Sequence, residues 1–293
     1  MGEGHPECPD RVSAIYDHLL MRGLLDLMPP YEAPKATRAQ VERVHDSLYV
    51  AELVAGAPAE GYVHVDPDTA MNPHTLEAAW HAAGAAVLAA ELVAKGEVRS
   101  AFSNVRPPGH HAERHQAMGF CFFNNVAVGA AHALAELGID RVAIVDFDVH
   151  HGNGTENIFA GDDRVLMVST FQQRLYPFSG EEPQGPNMVN VGLPAYTTGE
   201  ALRDAILARW LPALDKFKPE MVFISAGFDA HREDDMANLG WVEADYAWIT
   251  RHVMDIAERH AKGRVVSMLE GGYNLSALAR SVAAHVKVLM GLD

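Results

Sequence analysis

Five short, strongly apolar runs punctuate the chain at residues 100–105, 142–146, 165–169, 221–225 and 265–269. Segments with apolar residues at helical spacing lie around them, at 11–25, 75–94, 125–137, 199–217 and 242–260. Strands that are apolar throughout need cover on both faces. Alternating with helices, they predict an α/β fold: a central, mostly parallel sheet flanked by helices on both faces. A chain of 293 residues can bury about three quarters of its unfolded surface in this way. No long linker, low-complexity tract or internal repeat interrupts the pattern, so residues 1–293 are expected to form a single domain. Open parallel sheets bind ligands beyond the carboxyl ends of their strands. The chemistry is expected there.

Four of the five runs end in polar clusters. The first continues into Arg106-Pro107-Pro108-Gly109-His110-His111. The second continues into Asp146-Phe147-Asp148-Val149-His150-His151-Gly152-Asn153-Gly154. The fourth ends in Ser225-Ala226-Gly227-Phe228-Asp229 and the fifth in Glu270-Gly271-Gly272-Tyr273. While the backbone stays extended, positions 146, 148 and 150 face one side. Asp148 and His150 can then present an oxygen and an imidazole nitrogen to one cation, and Asp229 can add a third ligand from another strand end. Two carboxylates and one imidazole leave a position open for water, as a catalytic zinc site requires. Taken alone, Asp-x-Asp-x-His-His reads equally as a capping carboxylate and surface histidines in a βα loop. The polar ends of the other strands favour the metal.

His110 and His111 follow a Pro-Pro-Gly turn that fixes the backbone leaving its strand, and adjacent imidazoles are poised for proton transfer near neutral pH. Tyr273 on its own reads as a buried aromatic with a bonded hydroxyl. Beside a metal, its phenol becomes a donor to an oxyanion. His5, His18, His45, His64, His81, His132, His252, His260 and His285 read as surface or core residues, while His115 and His231 stay open.

Charge narrows the partners. With 23 Lys and Arg against 39 Asp and Glu the net charge is -16, which disfavours a direct grip on nucleic acid and favours cationic ligands. Cys8 and Cys121 cannot build a disulfide framework, and no secretion signal opens the chain, so the cytoplasm is expected. The longest apolar stretch, 76–94, is interrupted by Glu77, His81 and Glu91 and reads as a buried helix, so no membrane is expected. A homo-oligomer stays open.

Together these motifs resemble the superfamily of zinc-dependent histone deacetylases, acetoin-utilisation proteins and acetylpolyamine amidohydrolases, built on an arginase-like fold. The resemblance runs over nearly the whole chain through Gly4-His5-Pro6-Glu7, Pro107-Pro108-Gly109-His110-His111, Gly119-Phe120-Cys121-Phe122-Phe123-Asn124, the Asp148 and His150 cluster, Gly227-Phe228-Asp229 and Gly271-Gly272-Tyr273. It implies that Asp148, His150 and Asp229 bind one zinc ion, that His111 is general base and then acid, that His110 assists electrostatically, and that Tyr273 polarises the acetyl carbonyl. It pairs Asp146 with His110 and Asn153 with His111, and Asn at 153 resembles the class II branch. It also implies two structural potassium sites. Carbonyls of Asp146, Asp148 and His150 with Ser169 and Thr170 match the first, and Phe159, Asp162 and Val165 match part of a second.

Phe120, after Gly119, and Tyr176 would line a substrate tunnel, ordinary core packing being the alternative. Asp68 falls where family members carry a rim residue that grips the substrate, and reads equally as a solvated turn carboxylate. Met236 stands where polyamine-selective relatives have Glu. Family members carry an opening strand before Gly-His-Pro-Glu, yet here that motif begins at residue 4, so the strand is expected to be missing.

The resemblance implies hydrolysis of an acetylated amine, either acetyl-lysine in a protein or a small acetylated diamine or polyamine, with release of acetate. An arginase-like manganese ureohydrolase is the nearest rival, but it needs more carboxylates around a second metal. A non-catalytic acyl-amine binding subunit would need neither His111 nor Tyr273.

Overall fold

Helix α1 (Asp10–Met21) buries Arg11, Ile15 and Leu19, which fall about one turn apart along one face. The computed structural model describes residues 1–292. A capping box between Thr37 and Gln40 starts the short α2 (Arg38–Val41), and the Asp46 side chain caps α3 (Ser47–Ala55). Two short strands, β1 (Val63–His64) and β2 (Ala70–Met71), pair antiparallel. Then come α4 (Thr75–Lys95), β3 (Ser100–Ser103), α5 (Asn125–Glu136), β4 (Val142–Asp146), α6 (Asn153–Phe159), β5 (Val165–Gln172) and β6 (Met188–Leu193). The C-terminal part comprises α7 (Gly199–Ala205), α8 (Leu211–Phe217), β7 (Met221–Ala226), α9 (Glu243–His260), β8 (Val265–Leu269) and α10 (Leu275–Leu289).

Six strands form one sheet in the order β3-β8-β7-β4-β5-β6, every pair parallel. Alternation along β4 feeds two cores. Ala143 and Val145 join the cluster with Trp210, Trp241 and Tyr246 on one face, while Val142 and Ile144 join the Ala-rich packing of α4 and α5 on the other. Helices therefore cover both faces, the arrangement predicted from the apolar strands. By length and composition α4 could cross a bilayer, but it is mostly buried here as a core helix.

From β4 the chain runs through β5 to β6 at one edge, then returns to lay β7 on the other side of β4 and β8 beyond it. The strand order therefore reverses between β4 and β7, and the carboxyl ends at such a reversal are where open parallel sheets form their ligand crevice. The four strands predicted to end in polar clusters, β3, β8, β7 and β4, are neighbours. All four clusters consequently lie along one stretch of one sheet edge.

Several elements differ from expectation. The segment 199–217 is not one continuous α-helix: a π-helical turn at Ile206–Trp210 separates α7 from α8, and the Trp210 indole there donates to the Ser169 carbonyl at 3.2 Å. Strand β5 runs on to Gln172 because β6 pairs with it as far as Leu193.

Candidate active site

Asp148, His150 and Asp229 meet at the crevice, all buried, with ligand atoms within 4.8 Å of one another. His150 Nδ1 lies 3.1 Å from Asp148 Oδ1 and 3.2 Å from Asp229 Oδ2. Backbone amides fix both carboxylates: Gly271 N–H donates to Asp148 Oδ2 at 2.8 Å and Val149 N–H to Asp229 Oδ1 at 3.0 Å. Asp229 Oδ2 is buried and makes no hydrogen bond, with His150 Nδ1 at 3.2 Å beside it, so a cation bound there would satisfy it. Two glycines keep this space open. A Cβ at Gly227 would lie 2.0 Å from Asp148 Oδ2, and one at Gly271 would lie 2.1 Å from Asp229 Oδ2. Burial and the nearby Asp148 charge push Asp229 up to about 6, so the two carboxylates repel unless a positive charge sits between them. Among the described residues this is the one group of three or more His, Cys, Asp or Glu side chains able to share an ion.

The tandem histidines have opposite electrostatic environments. His110 Nδ1 lies 3.0 Å from Asp146 Oδ2, and its Nε2 is 3.8 Å from Asp148 Oδ2. Burial opposes its charge, but Asp148 and Asp146 overcome that penalty and raise His110 to about 10. His111 is held well below the usual histidine value by burial and by the charges of His110 and His150. It is therefore neutral, and its tautomer follows from its neighbour. Asn153 Nδ2 donates to Glu113 Oε1 at 2.7 Å, which turns Asn153 Oδ1 toward His111 Nδ1 at 2.8 Å. A carbonyl oxygen can only accept, so His111 carries its proton on Nδ1 and leaves the Nε2 lone pair free.

Aromatic rings pack beside these histidines and Tyr273. Tyr176 stands edge-on to His111 at 5.3 Å and to His150 at 6.3 Å, and Phe120 stands edge-on to Tyr273 at 6.0 Å. Gly119 has φ +56°, and a Cβ there would lie 2.5 Å from the His111 ring. Only glycine lets the loop pass so close. Burial pushes the Tyr273 phenol well above its ordinary value, so it stays a donor.

Asp68 is exposed yet linked to Phe120, because Thr69 Oγ1 donates to Asp68 Oδ1 at 3.0 Å and accepts from Phe120 N–H at 2.9 Å. Met236 sits in the loop of Asp234, whose Oδ2 accepts the amides of Tyr273 and Asn274 at 2.6 and 2.9 Å. His115 is exposed, and the buried His231 lies 3.6 Å from Glu243.

The register sets Ser169 beside Asp146, and Thr170 Oγ1 is buried without a partner. At the second expected potassium site the folded chain brings in a further side chain. The carbonyls of Phe159, Asp162 and Val165 converge on the side chain of Asn187, a residue given no role by the sequence reading.

Three other supports were not assigned from sequence. Glu270 Oε2 accepts Gly109 N–H at 2.6 Å and His110 N–H at 3.1 Å, and so holds the loop carrying the two imidazoles. The fully buried Arg11 donates to the carbonyls of Glu270 and Gly272, and its guanidinium stacks 4.9 Å from the Tyr273 ring centre. Glu7 bonds both Arg106 and Arg11, which gives the Gly-His-Pro-Glu motif a structural task. A charged residue on the apolar stripe of α1 was the signal that could have found Arg11.

Comparison with known proteins gives one consistent result. A histone deacetylase domain model matches residues 5–289. The chain is 38% identical to Histone deacetylase 5 of Arabidopsis thaliana over 99% of its own length, and spans 46% of that larger protein. It is 36% identical to the Histone deacetylase-like amidohydrolase of Pseudomonas aeruginosa, covering 99% of this chain and 78% of the relative. The crystal structure of the HDA15 HD domain superposes with a TM-score of 0.92 at 35% identity, covering 99% of this chain and 84% of that one.

Proposed function

Because the chain belongs to the histone deacetylase family, we propose that it is a zinc-dependent amidohydrolase that removes acetyl groups from amines and releases acetate. The observation that carries this reading is geometric: Asp148, His150 and Asp229 converge with ligand atoms within 4.8 Å of one another, beside His111, whose Nδ1 is held by Asn153 Oδ1 so that Nε2 stays free as a base, and His110, held by Asp146. A zinc ion held by those three side chains would polarise the acetyl carbonyl and make water a stronger nucleophile.

The protein's own groups supply the rest. His111 Nε2 takes a proton as water oxygen adds to the carbonyl carbon. Asn153 keeps the ring aimed by holding Nδ1–H. The same proton passes from His111 Nε2 to the amine nitrogen as the C–N bond breaks, and the water's second proton leaves the new carboxyl group for the released amine, giving acetate and the ammonium product. Tyr273 donates to the developing oxyanion, worth about 3–4 kcal/mol for one such donor. His110, favoured as a cation by Asp148 and by its bond to Asp146, adds positive charge beside the site. Phe120 and Tyr176 form an apolar sleeve suited to the methylene stem of the substrate.

The proposal extends to a potassium ion held by the carbonyls of Asp146, Asp148 and His150 with Ser169 and Thr170. The buried, unpartnered Thr170 hydroxyl supports it. The net charge of -16 and the exposed Asp68 support acetylated substrates that keep other ammonium groups, either acetyl-lysine in Lys-rich peptides or small partly acetylated diamines and polyamines, through attraction that salt weakens. Free Cys8 and Cys121 suit the reducing cytoplasm. A panel of acetyl-lysine peptides, acetylated diamines and a neutral acetyl-anilide, assayed for acetate release, tests the reading. Turnover of the cationic amides ahead of the anilide is expected. A strong preference for the anilide would overturn the electrostatic part, and urea release from guanidino compounds without acetate release would overturn the whole.

A further inference from the structure

At the expected second potassium site, the carbonyl oxygens of Phe159, Asp162 and Val165 converge on a single atom. That atom is Asn187 Nδ2, which donates to Phe159 O at 2.8 Å, to Asp162 O at 3.0 Å and to Val165 O at 2.9 Å. The amide orientation is fixed by its other end, because Asn187 Oδ1 accepts the Gly161 N–H at 2.8 Å. The nitrogen therefore faces the carbonyls. Asn187's own carbonyl is taken up by the Met167 amide in β5 at 3.0 Å. Space for the carboxamide depends on a glycine two residues earlier. A Cβ at Gly185 would lie 2.7 Å from Asn187 Oδ1.

We infer that the Asn187 carboxamide takes the place of a monovalent cation at this carbonyl cluster, so that the chain binds no potassium there. Three carbonyl dipoles aimed at one point need a positive partner. A cation supplies one, but only at the cost of its hydration and only in proportion to its free concentration. The carboxamide supplies two N–H groups, one of them shared between two carbonyls, from a side chain already anchored to β5 through its backbone. The cluster ties the C-terminal end of α6 to the start of β5, and α6 begins with Asn153, which aims His111. The structural task given to a second ion is thus carried by a neutral, tethered group. Nothing in this inference depends on the proposed activity.

Crystals of the unaltered protein grown with Rb+ in place of K+ and Na+ test it through the anomalous signal of Rb+. No peak is expected at the point shared by the three carbonyls. A peak there, with the Asn187 side chain turned away, would overturn the inference. The same experiment on Asn187→Ala tests whether the carboxamide replaces an ion and is not merely packed. Rb+ is expected in the emptied cluster, and an emptied cluster that takes no Rb+ would overturn the replacement. Should Asn187→Ala fail to fold, the unaltered crystals still decide the matter.

Discussion

At the scale of single residues, function rests on how each reactive group is aimed. His111 is neutral because burial and two neighbouring imidazoles disfavour its charge, and its free nitrogen is chosen by Asn153, whose own orientation Glu113 fixes. Tyr273 is kept protonated by burial and kept in place by Arg11 and Asp234. If its hydroxyl acts in the transition state, Tyr273→Phe should lower kcat by about 10²–10³ with metal content and substrate affinity nearly unchanged. Steady-state kinetics with elemental analysis checks this. Near-normal kcat with a clear loss of thermal stability would make the ring a packing element only. The residues named in this chemistry stand out in sequence because their types are rare together at strand ends. Their supports do not: Glu270, Glu113 and Asp234 are ordinary carboxylates in a chain rich in them, and only the folded backbone brings each to its donor.

At the scale of elements, legibility followed apolar contrast more than burial alone, since the half-buried edge strand β3 was legible. β4 and β8 are buried at every position, so their apolar runs end where the strands end. β6 buries only its two end residues, being an edge strand, and its sequence carries too little contrast to be read. α10 shows the reverse failing, since its Ala-rich apolar face is legible in principle but was not read. Its His285 illustrates what that helix contributes. Thr250 Oγ1 donates to the Tyr246 carbonyl at 2.6 Å, so at 2.7 Å it must accept from His285 Nδ1. His285 Nε2 then accepts from Ser267 Oγ at 2.8 Å. One neutral imidazole thereby joins α10 to α9 and β8.

Phe102, Phe147 and Phe228 surround the His285 ring, and burial lowers it to about 3 from 6.5. Above pH 6.5 the folded and unfolded states are both neutral here. Below it only the unfolded state takes the proton, so this contribution to stability is lost as pH falls from 6.5 toward 3. By pH 5 the loss should be about 2 kcal/mol. Urea unfolding at pH 7.5 and pH 5.0 should show a shallower pH dependence for His285→Gln than for the unaltered protein. Equal slopes would relieve His285 of that role.

At the scale of the whole molecule, strand order does most of the functional work. The reversal between β4 and β7 opens the crevice, and the adjacency of β3, β8, β7 and β4 delivers four polar clusters to it. The sequence announced the clusters and the parallel sheet. It could not announce the neighbour relations, because residues 106–111 and 270–273 are distant in the chain and meet only once β8 lies beside β3. The Asn187 plug was hidden for the same reason: Asn187 lies 22 residues beyond Val165 and reaches the carbonyl cluster only through the pairing of β6 with β5.

The central claim is that one zinc ion, held by Asp148, His150 and Asp229, makes this crevice an amide-hydrolysing site. The most direct measurement starts from metal-free protein and follows acetate release from an acetyl-lysine peptide as zinc is added. Activity should rise linearly to one equivalent per chain and then level off, and Asp229→Ala should retain less metal and show no turnover. Absence of acetate release at every zinc loading, or activity that appears only with two equivalents of manganese, would contradict the account.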